Sequence, residues 1–539
     1  MRKTTAALAA TATLAALLTL ATPASAAPAQ PATGPSPNTT PASTAPANAT
    51  PTNATGDVVR TRSGPVRGTV TPTTRTFQNI PFAAPPTGAA RYSPPRPVTP
   101  WRDTRDATRP GAACAQPVGL PVGRPSTEED CLVLNVTTPR TDRRDLPVIV
   151  WLHGGGLVYG VGDVYDAERL ARQGQAVVVT VNYRLGVFGF LAHPALGPDS
   201  GNLGLADQQA ALRWVRDNAR SFGGDPGNVT VSGESGGGFS VCAHLASPAS
   251  AGLFHRAILQ RAPCTGWGSR PRAESERLGL DLAARMGCPD PAVAAACLRG
   301  TDAAAMMAAT PMVTEMQYET GGALLPVSPG EAFASGRFNR VPVLFGINHD
   351  EERLMVAGEE FFTGRPLTRE EYEARVRATF GERAGRVLAE YPVGNRSPGL
   401  TLATVQTDHT WARPAVDTLR LLSRRTPTFG YELAEQRTPA MVGFPELSFP
   451  LGAPHTGDLP YLFDMPFMAR PDAEQSRLAT EMIGYWTRFA RTGDPNGGGA
   501  PCWPAQTPGR PFTMSLDVAG SHGTDLAANH RYAFWSQLG

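Results

Sequence analysis

The sequence predicts an α/β fold, with a mostly parallel central sheet flanked by helices in a single large domain with insertions. Three observations carry this. Short, continuously apolar runs recur along the middle of the chain, as strands buried on both faces require. Helical patterns lie between them, and strand–helix–strand repetition produces a parallel sheet covered by helices. The 539 residues are 41% hydrophobic and 18% charged, a globular mixture that excludes collagen, coiled coil and wholesale disorder.

The elements follow in order. Val148 to Leu152 reads as a first strand and Ala176 to Val181 as a second. Residues 202–221 read as a helix with Leu205, Leu212, Val215 and Ala219 on one stripe, ended by Gly223-Gly224-Asp225-Pro226. Val229 to Ser232 is a third strand, followed by a helix from Gly236 to about Leu245. Ala257 to Gln260 is a fourth, and Val341 to Ile347 and Thr428 to Leu433 are two more, each preceded by helical sequence.

The N-terminus has its own logic. Arg2 and Lys3 precede an apolar run from Ala6 to Leu20, and Ala24-Ser25-Ala26 is a small-x-small cleavage site. Residues 1–26 therefore read as a secretory signal peptide, and the run is short for a spanning helix. Residues 27–56 are almost entirely Ala, Pro, Thr, Asn, Ser and Gly. They bury too little apolar surface to offset chain entropy and read as a flexible tether, leaving 57–539 as the folded domain. A secreted chain meets an oxidising compartment, so its 7 cysteines are read first as disulfides. The expectation is an extracellular protein with no membrane insertion after cleavage. A formal net charge of +2 supplies no basic field for nucleic acid. The abundance of Gly and Pro, 56 and 52 residues, suits coding from a GC-rich bacterial genome.

The sharpest chemical signal is Gly233-Glu234-Ser235-Gly236-Gly237 between a predicted strand and a predicted helix. The glycines permit a tight, strained turn that lifts the Ser235 hydroxyl above the sheet and aims a helix N-terminus at it. A serine alcohol needs a base to remove its proton, and attack on a carbonyl creates an oxyanion that needs donors in place. His153-Gly154-Gly155-Gly156 follows the first strand and matches an oxyanion-loop motif. Gly155, Gly156 and Gly236 are the expected backbone donors. No His/Cys group has metal-ligand spacing.

With these residues in view, the chain resembles a type-B carboxylesterase of the cholinesterase-like α/β-hydrolases. The resemblance runs from Val59 to Pro504. It includes Gly64-Pro65-Val66-Arg67-Gly68, Ile80-Pro81-Phe82-Ala83, Glu129-Asp130-Cys131-Leu132-Val133-Leu134-Asn135, Asn182-Tyr183-Arg184, Leu205-Ala206-Asp207-Gln208 and Gly493-Asp494-Pro495-Asn496. It implies the α/β-hydrolase fold and hydrolysis of small-molecule carboxylic esters through an acyl-enzyme, with no cofactor. It places an acid in Gly346-Ile347-Asn348-His349-Asp350-Glu351-Glu352, where Glu351 takes the acid position and Glu352 replaces the usual glycine. Asp350 and Glu352 stand beside it as alternatives.

Of nine histidines, His153 belongs to the oxyanion loop. His193, His244 and His255 precede the acid, against the Ser…acid…His order of this fold. His349 is too near the acid to be oriented by it. Among His409, His455, His522 and His530, the segment Gly452-Ala453-Pro454-His455-Thr456-Gly457-Asp458 resembles the family's base motif, so His455 is the implied base. The other three read as surface-loop histidines. Glu234 is expected as a buried supporting carboxylate. Arg91 with Glu129, and Arg184 with Asp207, match buried structural ion pairs of the family. Cys114–Cys131 and Cys288–Cys297 match its disulfides; Cys242–Cys264 is a weaker third pair, leaving Cys502. Met306, Met307, Met312 and Met316 read as helix packing. The 17-position separation of Cys114 and Cys131 is shorter than in lid-bearing fungal lipases of the family, and the residues between them include no Trp, Tyr or Phe such as the choline-binding aromatic of cholinesterases. The expected activity is a soluble serine carboxylesterase. The alternatives are a triacylglycerol lipase and a catalytically silent binding or adhesion protein on the same fold.

Overall fold

The computed structural model describes residues 56–117, 122–310, 316–443 and 447–538. The signal peptide, the tether up to residue 55, and Met312 lie outside the described residues.

An 11-stranded sheet organises the molecule. In chain order its strands are β1 (Thr69–Val70), β2 (Thr74–Pro81), β3 (Val133–Pro139), β4 (Leu146–Leu152), β5 (Val177–Val181), β6 (Gly224–Glu234), β7 (Arg256–Gln260), β8 (Val343–Asn348), β9 (Thr428–Leu433), β10 (Thr513–Leu516) and β11 (His522–Thr524). Their spatial order is β11-β10-β9-β8-β7-β6-β4-β5-β3-β2-β1. The run from β5 through β4, β6, β7, β8 and β9 to β10 is parallel throughout. The outer pairs β5–β3, β3–β2, β2–β1 and β10–β11 are antiparallel.

Six of the seven parallel strands are those the apolar runs predict; the seventh, β10, went unread. Every residue of β4, β5, β8 and β9 is buried, because helices cover both faces. The antiparallel margins went unread in the sequence, since their mixed composition lacks that signature. Gly224, read as part of a helix stop, opens β6. Helices α1 (Leu203–Asn218), α2 (Gly236–Ala246), α3 (Arg413–Leu422) and α4 (Ala473–Thr492) pack on the sheet. The arrangement is the α/β-hydrolase fold.

Between β8 and β9 the chain makes a helical excursion that builds its own small core. Tyr372, Val376, Val387, Leu402 and the C-terminal Trp535 pack there, separate from the main core on the sheet. Disulfides join Cys114 to Cys131, Cys242 to Cys264 and Cys288 to Cys297, and Cys502 is free and exposed. Arg184 holds Asp207 through two hydrogen bonds of 2.8 and 2.7 Å, and Arg91 pairs with Glu129. Met306 and Met316 are buried in the core. Among the described residues no helix is long and apolar enough to cross a membrane.

Candidate active site

Ser235 sits between β6 and α2 with φ 52° and ψ −121°, a region that costs a non-glycine residue roughly 1–3 kcal/mol. The surroundings over-determine it. The Ser235 N–H donates to Gln260 O at 2.9 Å, and its carbonyl accepts from Phe239 N at 2.9 Å. The flanking glycines are demanded by close approach: a Cβ on Gly237 would lie 1.9 Å from Leu152 O, and one on Gly233 would lie 2.4 Å from Gly237 O.

The loop after β4 lies against this turn. Gly155 and Gly156 have φ 104° and 60°, which suit glycine alone without strain. A Cβ built on Gly236 would meet Gly156 N at 3.0 Å and Leu157 N at 3.1 Å, so the loop amides and the α2 N-terminus converge beside Ser235. His153 holds the loop. Its ring stacks on Tyr183 at 4.4 Å, and the Tyr183 hydroxyl donates to His153 O at 2.8 Å. Burial presses its pKa down to about 4, so it is a neutral packing group.

Two distant segments meet the serine. The Ser235 Oγ lies 2.9 Å from His455 Nε2, and His455 Nδ1 lies 2.6 Å from Glu351 Oε2. With Nδ1–H donating to the carboxylate, Nε2 is left to accept the serine proton. Glu351 Oε1 accepts from Asn348 N at 2.8 Å, and the His455 N–H donates to Glu351 O at 3.1 Å. Glu351 is the carboxylate in contact with the imidazole. Asp350 pairs with His349 and Arg353, and Glu352 accepts from Trp411 Nε1 at 2.7 Å.

A buried charge cluster underlies these groups. Arg261, fully buried, places Nη2 2.8 Å from Glu234 Oε1 and 3.0 Å from Asp458 Oδ1. Glu234 Oε1 is also 3.5 Å from His455 Nε2, and Gln260 Nε2 donates to Asp458 Oδ2 at 2.6 Å. Burial, then the Arg261 charge, lowers the His455 pKa to about 4, leaving a neutral imidazole at neutral pH. Burial pushes the Glu351 carboxyl upward, opposed by Arg261 and the Asn348 N–H.

Three residues near the site escape the sequence reading. Arg261 carries a faint signal, because a charged residue directly after a buried strand is unusual. Trp411 carries none: its ring packs 4.8 Å from His455 from a single π-helical turn, Thr407–Ala412. His530, expected on a surface loop, is buried instead. It bridges Asp408 at 2.6 Å and Glu432 at 2.8 Å, because the C-terminal helices tuck into the second core. His409 is half-buried and His522 exposed.

The comparisons with known proteins agree with the fold. The carboxylesterase family matches residues 55–535. The chain is 35% identical over 500 residues to the pyrethroid hydrolase Ces2e of Rattus norvegicus, covering 86% of this chain and 85% of that protein. It is 34% identical over 493 residues to the para-nitrobenzyl esterase of Bacillus subtilis (strain 168), covering 86% and 95%. A solved structure of a thermophilic pNB esterase superposes with a TM-score of 0.74 at 31% identity, covering 89% of this chain and all of that one. The chain belongs to the carboxylesterase family.

Proposed function

We propose that this protein is a serine carboxylesterase that works through an acyl-enzyme on Ser235. The observation that carries the reading is the unbroken Ser235–His455–Glu351 hydrogen-bond chain, at 2.9 and 2.6 Å. His455 Nε2 takes the serine proton as Oγ attacks the ester carbonyl carbon. The amides of Gly155, Gly156 and Gly236 receive the oxyanion, and Glu351 stabilises the imidazolium. His455 then protonates the departing alkoxide. Water, deprotonated by the same nitrogen, attacks the acyl carbonyl and releases the acid and the serine. Glu234, 3.5 Å from Nε2, supports the transient positive charge.

Uncharged esters of small acids, aryl esters included, are the proposed substrates. The relatives named for pyrethroid and para-nitrobenzyl ester cleavage support this class. The 17-position separation of Cys114 and Cys131 leaves little chain for a lipase lid, and the absence of aromatic residues between them speaks against choline esters. We further propose that residues 1–26 are removed on export, with 27–56 as a tether. The three disulfides support an oxidising destination.

The test is labelling with a fluorophosphonate followed by peptide mapping, alongside p-nitrophenyl esters of increasing acyl length. The expected result is one adduct, on Ser235, and turnover that favours short acyl chains in solution. An unlabelled protein would mark a silent binding module. Preference for emulsified long chains would mark a lipase.

A further inference from the structure

Of the groups the ester mechanism does not use, one is built around two imidazoles. His349 follows β8, Glu432 lies on β9, and His530 lies between the two last helices. The strand register brings the first two together: Ile347 pairs with Glu432, and the His349 N–H donates to Leu433 O at 2.9 Å. The His349 and His530 rings sit 5.2 Å apart, and donor atoms of all three side chains lie within 4.8 Å of one another. We propose that His349, Glu432 and His530 form a binding site for a divalent transition metal of the zinc class.

The support behind the ligands is what distinguishes this group from a chance cluster. Metal-binding imidazoles characteristically give their other nitrogen to a carboxylate, which fixes the ring and raises its basicity. Both rings here have that partner. His349 Nδ1 lies 2.8 Å from Asp350 Oδ1, and His530 Nδ1 lies 2.6 Å from Asp408 Oδ1. The carboxylates are themselves anchored. Asp350 is held by Arg353 at 2.7 Å and Ala453 N at 2.9 Å, and Asp408 by the Tyr391 hydroxyl at 2.7 Å. His349 thus has Nε2 left for a ligand, and His530 turns its Nε2 toward Glu432. Glu432 Oε2 accepts from Asn529 at 2.8 Å, which leaves Oε1.

Oε1 now lies 2.8 Å from His530 Nε2, with a proton between them. A metal ion takes the place of that proton, which leaves to solvent. Two nitrogens and one carboxylate oxygen suit Zn²⁺ or its neighbours, and not Ca²⁺ or Mg²⁺, which seek oxygen alone. Bonds of about 2.0–2.2 Å put tetrahedral ligands about 3.3 Å apart, so donor atoms within 4.8 Å of one another close by at most about 1.5 Å. His349 can supply the movement, since its side chain is 38% exposed. The same exposure gives the ion an entry path and leaves a position for water. The sequence offered no sign of the site, because its members lie far apart in the chain.

The experiment is equilibrium dialysis of the metal-stripped full chain against Zn²⁺, in a Cys502→Ser background that removes the exposed thiol as a rival ligand. Co²⁺ absorption provides a second readout of coordination. One Zn²⁺ per chain at micromolar concentration is expected. His349→Ala, and separately the near-isosteric Glu432→Gln, should each weaken binding by about 10-fold or more and remove the Co²⁺ band while circular dichroism stays unchanged. Failure to retain Zn²⁺ at micromolar concentration, or equal affinity in both folded variants, would overturn the proposal.

Discussion

Around Ser235 the positioning groups are backbone; around His455 they are charges. The nucleophile turn and the loop at 153–157 rely on positive φ angles and on glycines whose missing Cβ atoms make room for carbonyl oxygens at 1.9 to 2.4 Å. The acid–base side rests on Glu351, Glu234, Asp458 and Arg261, all buried. The first side should fail when volume is added, and the second when charge is removed. Substitutions that change one property at a time can separate them.

Ser235→Ala strikes the atom where both sides meet and carries the largest effect. Turnover of a p-nitrophenyl ester should fall by about 10⁶-fold with the thermal melt unchanged, and substantial residual hydrolysis would refute the nucleophile. Glu351→Gln keeps shape and deletes charge, so kcat should drop by about 10⁴-fold with little change in the melt. Gly155→Ala does the reverse. Its Cβ would lie 2.0 Å from Tyr159 O in a backbone at φ 104°. The loop must shift, and the lost oxyanion donor should cost about 10²–10³-fold in kcat. A Gly155→Ala enzyme with wild-type kcat would break the contrast.

Arg261 tests the charged side through pH. Its positive charge opposes a second one on His455, whose pKa lies near 4. A protonated imidazole cannot accept the serine proton, so activity should vanish on the acid side only near pH 4. Removing the cation in Arg261→Met raises the His455 pKa, and the acid limb of kcat/KM should move to higher pH. Arg261→Lys should restore it. The Met variant also leaves two buried carboxylates uncompensated, a destabilisation of roughly 3–5 kcal/mol that a melt would register. An unmoved acid limb in a folded Met variant would remove Arg261 from the electrostatic account.

This division also explains what could be read from the chain. Six of the seven parallel strands show as apolar runs, β10 with its Thr-Met-Ser-Leu being the exception, and the turn at Ser235 shows because its glycines are neighbours in sequence. Local patterns encode local backbone. The buried charges are different. Arg261 is charged in the sequence whether it faces solvent or Glu234, and His530 has the composition of a surface loop until the last helix packs its Trp535 against Tyr391. Cross-chain burial decides their state, and composition does not record it. The family motif named Glu351 and His455, but nothing in it announced Trp411, whose place depends on one π-helical turn.

Trp411→Phe should have the smallest effect, and it probes where the two sides touch. The substitution keeps an aromatic face toward His455 but deletes the N–H that Glu352 Oε1 accepts at 2.7 Å. Glu352 Oε2 has no hydrogen-bond partner among the described residues. Burial already lifts this carboxyl to about 7, with the Trp411 bond pulling it down. A carboxyl raised in the folded state binds its proton more tightly there than in the unfolded chain, so stability declines as pH rises from the unfolded value toward 7. Losing Trp411 Nε1 raises the group further and extends that decline to higher pH. The melting temperature of Trp411→Phe should therefore lie close to wild type at pH 5 and fall below it at pH 8, by the equivalent of about 1–3 kcal/mol. Because the ring still covers His455, kcat at pH 6 should change only a few-fold. A kcat loss as deep as that of Gly155→Ala would mean that the tryptophan N–H, and not its face, positions the base.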